Sequence, residues 1–265
     1  MTQKTVDVKE IVKQKYSDIA RDSGESCCSP TNCCGDDEVF NIMAESYETL
    51  DGYNPDADLS LGCGIPVEYA GLEPGQSVLD LGAGAGNDLF VARSVVGETG
   101  QLTGLDFSVE MLLKAERNRK KLGYANMRFV QGDIENMPLP QNEFDVVLSN
   151  CVLNLVPDKK AAFSEIYRVL KPGGHFSISD IVLEGEISDV VRKSAELYAG
   201  CVSGAIEKEE YLHIVEETGF EEIDIRKERE IHIPEEWLKA KFGESMSLGN
   251  AKVLSITLFG KKPSF

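Results

Sequence analysis

VLDLGAGAGND, residues 78–88, decides how the chain is read. The apolar run Val78–Leu81 ends at glycines spaced Gly82, Gly84 and Gly86, and helix-forming residues follow from about Asn87. Glycine carries no Cβ, so the backbone turns tightly there and comes close to a ligand. Strand, glycine turn and helix together form the opening unit of a nucleotide-binding α/β fold. The spacing is GxGxG, and Asn87 stands where the dinucleotide fingerprint GxGxxG needs its third glycine, so that fingerprint is incomplete. Asp80, inside the strand, suits a positively charged group such as an amino-acid ammonium and does not suit a pyrophosphate.

The same alternation continues outward. QLTGLDFS (101–108) precedes the helical VEMLLKAERNRKKLG, and MRFVQGD (127–133) and FDVVLSNCVL (144–153) are followed by KKAAFSEIYRVL. GHFSISDIVL (174–183) supplies a fifth strand, with Lys171, Pro172 and two glycines as the turn into it. FEEIDIRKEREIHI (220–233) and AKVLSITLFGKKP (251–263) read as two more strands. Strand and helix in repeated alternation predict an α/β fold: a doubly wound, mostly parallel, seven-stranded Rossmann-like sheet. Continuous Val, Leu and Ile strands suit a sheet covered on both faces. The predicted organisation is a helical, Cys-rich extension over 1–70, the core over 71–183, and a segment over 184–265. That last segment holds an inserted helical stretch for the acceptor and the last two strands. A further helix is expected over DEVFNIMAESY (37–47).

The 265 residues, 42% of them hydrophobic, are enough for a sizeable core. A formal charge of -18 argues against nucleic acid and against an anionic membrane surface as partners, because both need clustered Lys and Arg. MTQKTVDVKEIVKQKYSDIA, at the start, has no apolar signal region; Val8, Ile11, Val12, Tyr16, Ile19 and Ala20 fall on one side of a helix. No apolar run is long enough to cross a bilayer. The expectation is a cytoplasmic protein whose seven cysteines rest in the reduced state.

Ligands of such sheets bind outside the carboxyl ends of the strands. Asp106 ends the second strand, where a carboxylate accepts from both ribose hydroxyls, and Phe107 follows it in the same site. Asp133 in GDIENMPLP is placed to bond an adenine amine, with Ile134 against the ring, and the fourth strand delivers Asn150 and Cys151 to the edge. In order and spacing, VLDLGAGAG, GLDFS, GDIENMPLP, FDVVLSN and LKPGG resemble the class I S-adenosylmethionine-dependent methyltransferases over residues 76–181. The resemblance implies S-adenosylmethionine as methyl donor, held by Asp80, Gly82, Gly84, Gly86, Asp106, Phe107, Asp133, Ile134 and Asn150.

Three cysteines stand alone: Cys63 in SLGCGIP, Cys151 in SNCVLNLVP and Cys201 in YAGCVSGA. A lone cysteine is usually a small buried hydrophobe. Against that, Cys63 lies between glycines where little packing is expected, Cys151 lies at the active edge, and small residues flank Cys201. Three convergent thiolates suit a soft, thiophilic centre. Structural zinc takes four ligands, whereas trivalent arsenic is trigonal and keeps a lone pair for attack on a methyl group. No general base is then needed, which agrees with only three histidines, His175, His213 and His232, none in a catalytic motif.

With these cysteines the chain resembles the arsenite methyltransferases. That resemblance implies Cys63, Cys151 and Cys201 as ligands of As(III), arsenite and methylated trivalent arsenicals as substrates, and a thiol reductant such as glutathione or thioredoxin. A monomer is expected. The chain departs from longer members by ending soon after the last strand, and Leu61 stands where some relatives carry a tyrosine. Two other readings stay open. One is a methyltransferase for a small organic acceptor such as a quinone or sterol precursor, with cysteines as packing. The other is a thiol-based metal binder without catalysis. ESCCSPTNCCGDD (25–37) adds Cys27, Cys28, Cys33 and Cys34. Exposed thiols on a leader are one reading of it, and a transient redox pair or a four-thiolate zinc site are others; the sharper reading is capture of As(III) by Cys33 and Cys34, or by the earlier pair, for transfer to the three-cysteine site.

Overall fold

Five strands run parallel: β1 (Ser77–Leu81), β2 (Gln101–Asp106), β3 (Met127–Gln131), β4 (Phe144–Asn150) and β5 (Leu170–Glu184). β6 (Glu221–Ile231) and β7 (Lys252–Lys261) complete one seven-stranded sheet in the order β3-β2-β1-β4-β5-β7-β6, with β7 antiparallel to both its neighbours. The structure is a computed structural model that describes residues 8–22, 43–185, 204–236, 239 and 250–265. Cys27, Cys28, Cys33, Cys34 and Cys201 lie outside the described residues.

The predicted seven strands are all present, and the doubly wound α/β expectation holds. Strand side chains alternate between faces. Leu79 and Leu81 of β1 pack with Val147, Phe163 and Ile166 on one side, while Val78 packs with Leu89, Val146 and Leu148 on the other. The helices between strands supply those covers: α3 (Asn87–Val96), α4 (Val109–Leu122), α5 (Lys159–Val169) and α6 (Lys208–Thr218). Among the described residues, α1 (Val8–Asp22) and the single turn α2 (Pro66–Tyr69) precede β1. Ser108 caps α4 by accepting from the Met111 N–H, and Asp158 caps α5 by accepting from Ala161. Each cap satisfies an N–H that the helix leaves unpaired. Because β2 and β4 flank β1 on opposite sides, the chain reverses its winding direction at β1, and a crevice opens at the carboxyl ends of β1 and β4.

Two expectations change. Lys171–Gly174 do not form a turn ahead of the strand; β5 already pairs at Leu170 and bulges, Phe144 facing Leu170 while Val146 faces His175. The helix expected over 37–47 lies mostly outside the described residues, and 44–47 are irregular.

A buried lysine ties the segment after β4 to Gly204. Lys159 is 7% exposed and donates to the carbonyls of Asn154 (3.0 Å), Val156 (3.1 Å) and Gly204 (3.1 Å). Burial pushes its ammonium pKa down, and Asp180 is the first of the carboxylates that oppose this. Asp180 is fully buried, accepts from Tyr211 Oη at 2.9 Å, and is pushed up to about 7 by burial against the pull of Lys159. Lys159→Met keeps the stem but removes the ammonium that donates to three carbonyls. A loss of about 3 kcal/mol in urea unfolding is expected, because three hydrogen bonds from a charged donor are lost in a buried setting. A change below ~1 kcal/mol would show that these groups are solvated.

Candidate active site

The crevice is walled by the glycine loop, Asp106 and Phe107 after β2, Gly132–Ile134 after β3, and Asn150–Val152 after β4. Gly84 and Gly86 both have positive φ, +51° and +97°. Only the Gly82 carbonyl lies near where a Cβ on Gly84 would project, so the loop presents bare backbone to the crevice. Asp106 sits beneath this loop, accepting from Gly84 N–H (2.9 Å) and Ser108 N–H (2.8 Å). Burial pushes it up to about 6, against the hydrogen bonds from Ser108, Gly84 and Phe107. Asn87, on the crevice wall, has a buried Oδ1 with no hydrogen-bond partner. An orphaned acceptor, a backbone cradle and buried carboxylates together suit a cationic ligand that carries hydroxyl and ammonium donors.

The other predicted residues fall as follows. Asp80 is 2% exposed and lies under the floor of the crevice, its pKa well raised by burial and by the charges of Asp88 and Asp106. Ile134 and Phe107 line the wall. Asp133 accepts from Lys9 Nζ at 2.6 Å and from the Glu135 N–H at 3.0 Å, so its carboxylate is already engaged with α1. Lys9 also bonds Glu135. With Val12 and Tyr16, Lys9 brings α1 across the mouth of the crevice. Ser17 and Arg21 pin the far end of α1 to Glu110 of α4.

Cys63 and Cys151 share a buried setting. Both belong to one apolar cluster with Val12, Met43, Leu155, Ile181 and Val253, and they are 0% and 3% exposed. Among the described residues no three His, Cys, Asp or Glu side chains group as a metal site; Cys201 lies outside them. Cys151 also lines the crevice and has φ +59°, a left-handed conformation that costs a non-glycine residue of order 1 kcal/mol. Its N–H donates to Ser179 O at 2.7 Å, which fixes that turn. Strain of this kind marks functional positions.

The loose setting expected for Cys63 is corrected. A Cβ on Gly62 would stand 2.6 Å from Asn150 Nδ2, and one on Gly64 would stand 2.6 Å from Ser179 Oγ. The two glycines let the Cys63 loop pack directly on β4 and β5. Ser255 Oγ donates to the Cys63 carbonyl at 2.6 Å, and Asn150 Oδ1 accepts from the N–H groups of Cys63 (3.0 Å) and Gly64 (3.3 Å). Asn150 lines the crevice as expected, but its amide is occupied by this loop. Sequence reasoning missed Tyr47, Asp88, Asn87 and Lys9. Asp88 and Asn87 were readable as polar first-turn residues behind the glycine loop; nothing local marks Tyr47 or Lys9.

A methyltransferase-domain family model matches residues 72–219. An arsenite methyltransferase of Halobacterium salinarum is 38% identical over 83% of this chain. One of Aquipseudomonas alcaligenes is 31% identical over 89% of it. The chain spans 59% of the length of the first and 68% of the second. The crystal structure of an arsenic (III) S-adenosylmethionine methyltransferase from Chlamydomonas reinhardtii is similar, with 39% identity and a TM-score of 0.66. That similarity covers 76% of this chain and 68% of the other. By fold, family model and these relatives, the chain belongs to the arsenite methyltransferase family.

Proposed function

We propose that this chain transfers a methyl group from S-adenosylmethionine to trivalent arsenic held by the thiolates of Cys63, Cys151 and Cys201. The observation that carries the reading is the burial of Cys63 and Cys151 in one apolar cluster, with Cys151 also on the crevice wall. S-adenosylmethionine supplies an electrophilic methyl group on a sulfonium. Asp106 and the glycine-loop backbone orient its ribose and tail, and Asn87 Oδ1 accepts from its ammonium. Asp80, Asp88 and Asp106 bias the crevice toward a cation. Val12, Tyr16 and Leu155 exclude water where the arsenic lone pair meets the methyl carbon. Holding the two close and in line supplies much of the rate.

The carbon–sulfur bond of the sulfonium breaks as the arsenic–carbon bond forms, and S-adenosylhomocysteine leaves. Arsenic gives up its lone pair in that step and becomes pentavalent. Glutathione or thioredoxin then returns it to the trivalent state with two electrons, forming a disulfide. The enzyme works in the cytoplasm as a monomer, and Cys33 and Cys34 capture arsenite for the site.

Incubation with methyl-labelled S-adenosylmethionine, arsenite and glutathione tests the reading. Label is expected in methylated arsenic. Label only in a quinone or sterol-like acceptor would replace arsenic as the substrate.

Affinity for S-adenosylmethionine should also follow Asp106. The ionised carboxylate accepts from hydroxyls, and its pKa is raised to about 6 by burial. Affinity is therefore full above that pH and lost as protons are added, about tenfold per pH unit below it. Calorimetric titration from pH 5 to 8 checks this; a flat profile would take Asp106 out of the site.

A further inference from the structure

Asn150 and Cys151 share one peptide bond, yet the Asn150 side chain holds the loop of the other cysteine. Its Oδ1 accepts from Cys63 N–H and Gly64 N–H. Its Nδ2 donates to Gly64 O and to Tyr47 Oη, both at 2.8 Å, and lies 3.3 Å from Asp88 Oδ2. Tyr47 Oη donates to Asp88 Oδ1 at 2.7 Å. Tyr47 is 4% and Asp88 8% exposed, so this network is largely buried at the crevice wall, where hydrogen bonds of charged groups are strong. The Cys151 turn is fixed separately through Ser179. Two side chains hold the Cys63 backbone, Ser255 at its carbonyl and Asn150 at its N–H, and of these Asn150 is the one that adjoins Cys151.

We propose that Asn150, supported by Tyr47 and Asp88, is a positioning residue that sets Cys63 as the third thiolate and so selects three-coordinate arsenic. The proposal rests on the three-thiolate reading above. Inorganic arsenite carries three exchangeable hydroxides. Each thiol gives its proton to one of them, an As–S bond replaces an As–O bond, and three waters leave without any redox change. A monosubstituted arsenical has only two exchangeable oxygens and needs only two thiolates. Misplacing Cys63 thus costs arsenite its third bond, while Cys151 and Cys201 still serve a monosubstituted arsenical.

The test compares full-length wild type, Asn150→Ala and Tyr47→Phe. Each is titrated with inorganic arsenite and with phenylarsine oxide, and bound arsenic is counted by mass spectrometry after gel filtration. In Asn150→Ala, arsenite affinity should fall about 30-fold, as for loss of about 2 kcal/mol of hydrogen bonding, and phenylarsine oxide affinity within about threefold. Tyr47→Phe, which keeps the ring in the core, should show the same selectivity in smaller measure. Equal loss of both arsenicals, or loss of neither, would overturn the role of Asn150. A wild type that binds neither arsenical would instead remove the three-thiolate reading itself.

Discussion

Cys151→Ser should lower kcat/KM for arsenite methylation at least ~1,000-fold while S-adenosylmethionine affinity stays within about twofold. Serine is nearly isosteric and tolerates the φ of +59° no worse than cysteine, so the turn after β4 survives. What changes is the ligand. A thiolate is soft and forms at accessible pH; a serine hydroxyl is hard and stays protonated, so it does not replace sulfur on a thiophilic centre. The crevice keeps Asp106 and the glycine loop, joined through Gly84 and Ser108 N–H, and this separates acceptor loss from donor loss. Retention of a tenth or more of the activity would make Cys151 a packing residue. Its 3% exposure and apolar neighbours would then be its whole explanation.

Asp106→Ala should have the next largest effect, on the donor. A carboxylate accepting from two ribose hydroxyls forms charge-assisted bonds worth about 1.5–3 kcal/mol each, so S-adenosylmethionine affinity should fall about 100-fold or more. The substitution also strips the Gly84 N–H (2.9 Å) and Ser108 N–H (2.8 Å) of their acceptor, which loosens the glycine loop. Asp106→Asn separates the two contributions. It restores the side-chain volume and one acceptor, and it should recover loop order while leaving affinity low. Calorimetry measures the binding. Phenylarsine oxide titration should be unchanged in both variants, because Asp106 bonds the backbone of Gly84 and Ser108.

The sheet was legible because β1, β2 and β4 are mainly apolar runs that end at Gly82, Asp106 and Asn150, in order along the chain. Asp80, Asp106 and Asn150 show how far strand-end reasoning reaches. It placed Asp106 and Asn150 on the crevice, while Asp80, in β1, is buried. What stayed hidden depends on pairing across the chain. Glycines beside Cys63 read as slack, but they are there because Asn150 and Ser179, far along the chain, press against them. The engagement of Asp133 by Lys9 joins residues 124 positions apart, and no local pattern encodes it. The bulge at Lys171–Gly174 shifts the register of β5 on β4 from Phe144–Leu170 to Val146–His175, so a sequence that looked like a turn is an irregularity within a strand.

Arsenic X-ray absorption on the reduced protein loaded with one equivalent of arsenite tests three-thiolate binding most directly. Three sulfur neighbours and no oxygen are expected in wild type, and two sulfurs with one oxygen in Cys63→Ser. A wild type that methylates arsenite while its bound arsenic has fewer than three sulfur neighbours would contradict it.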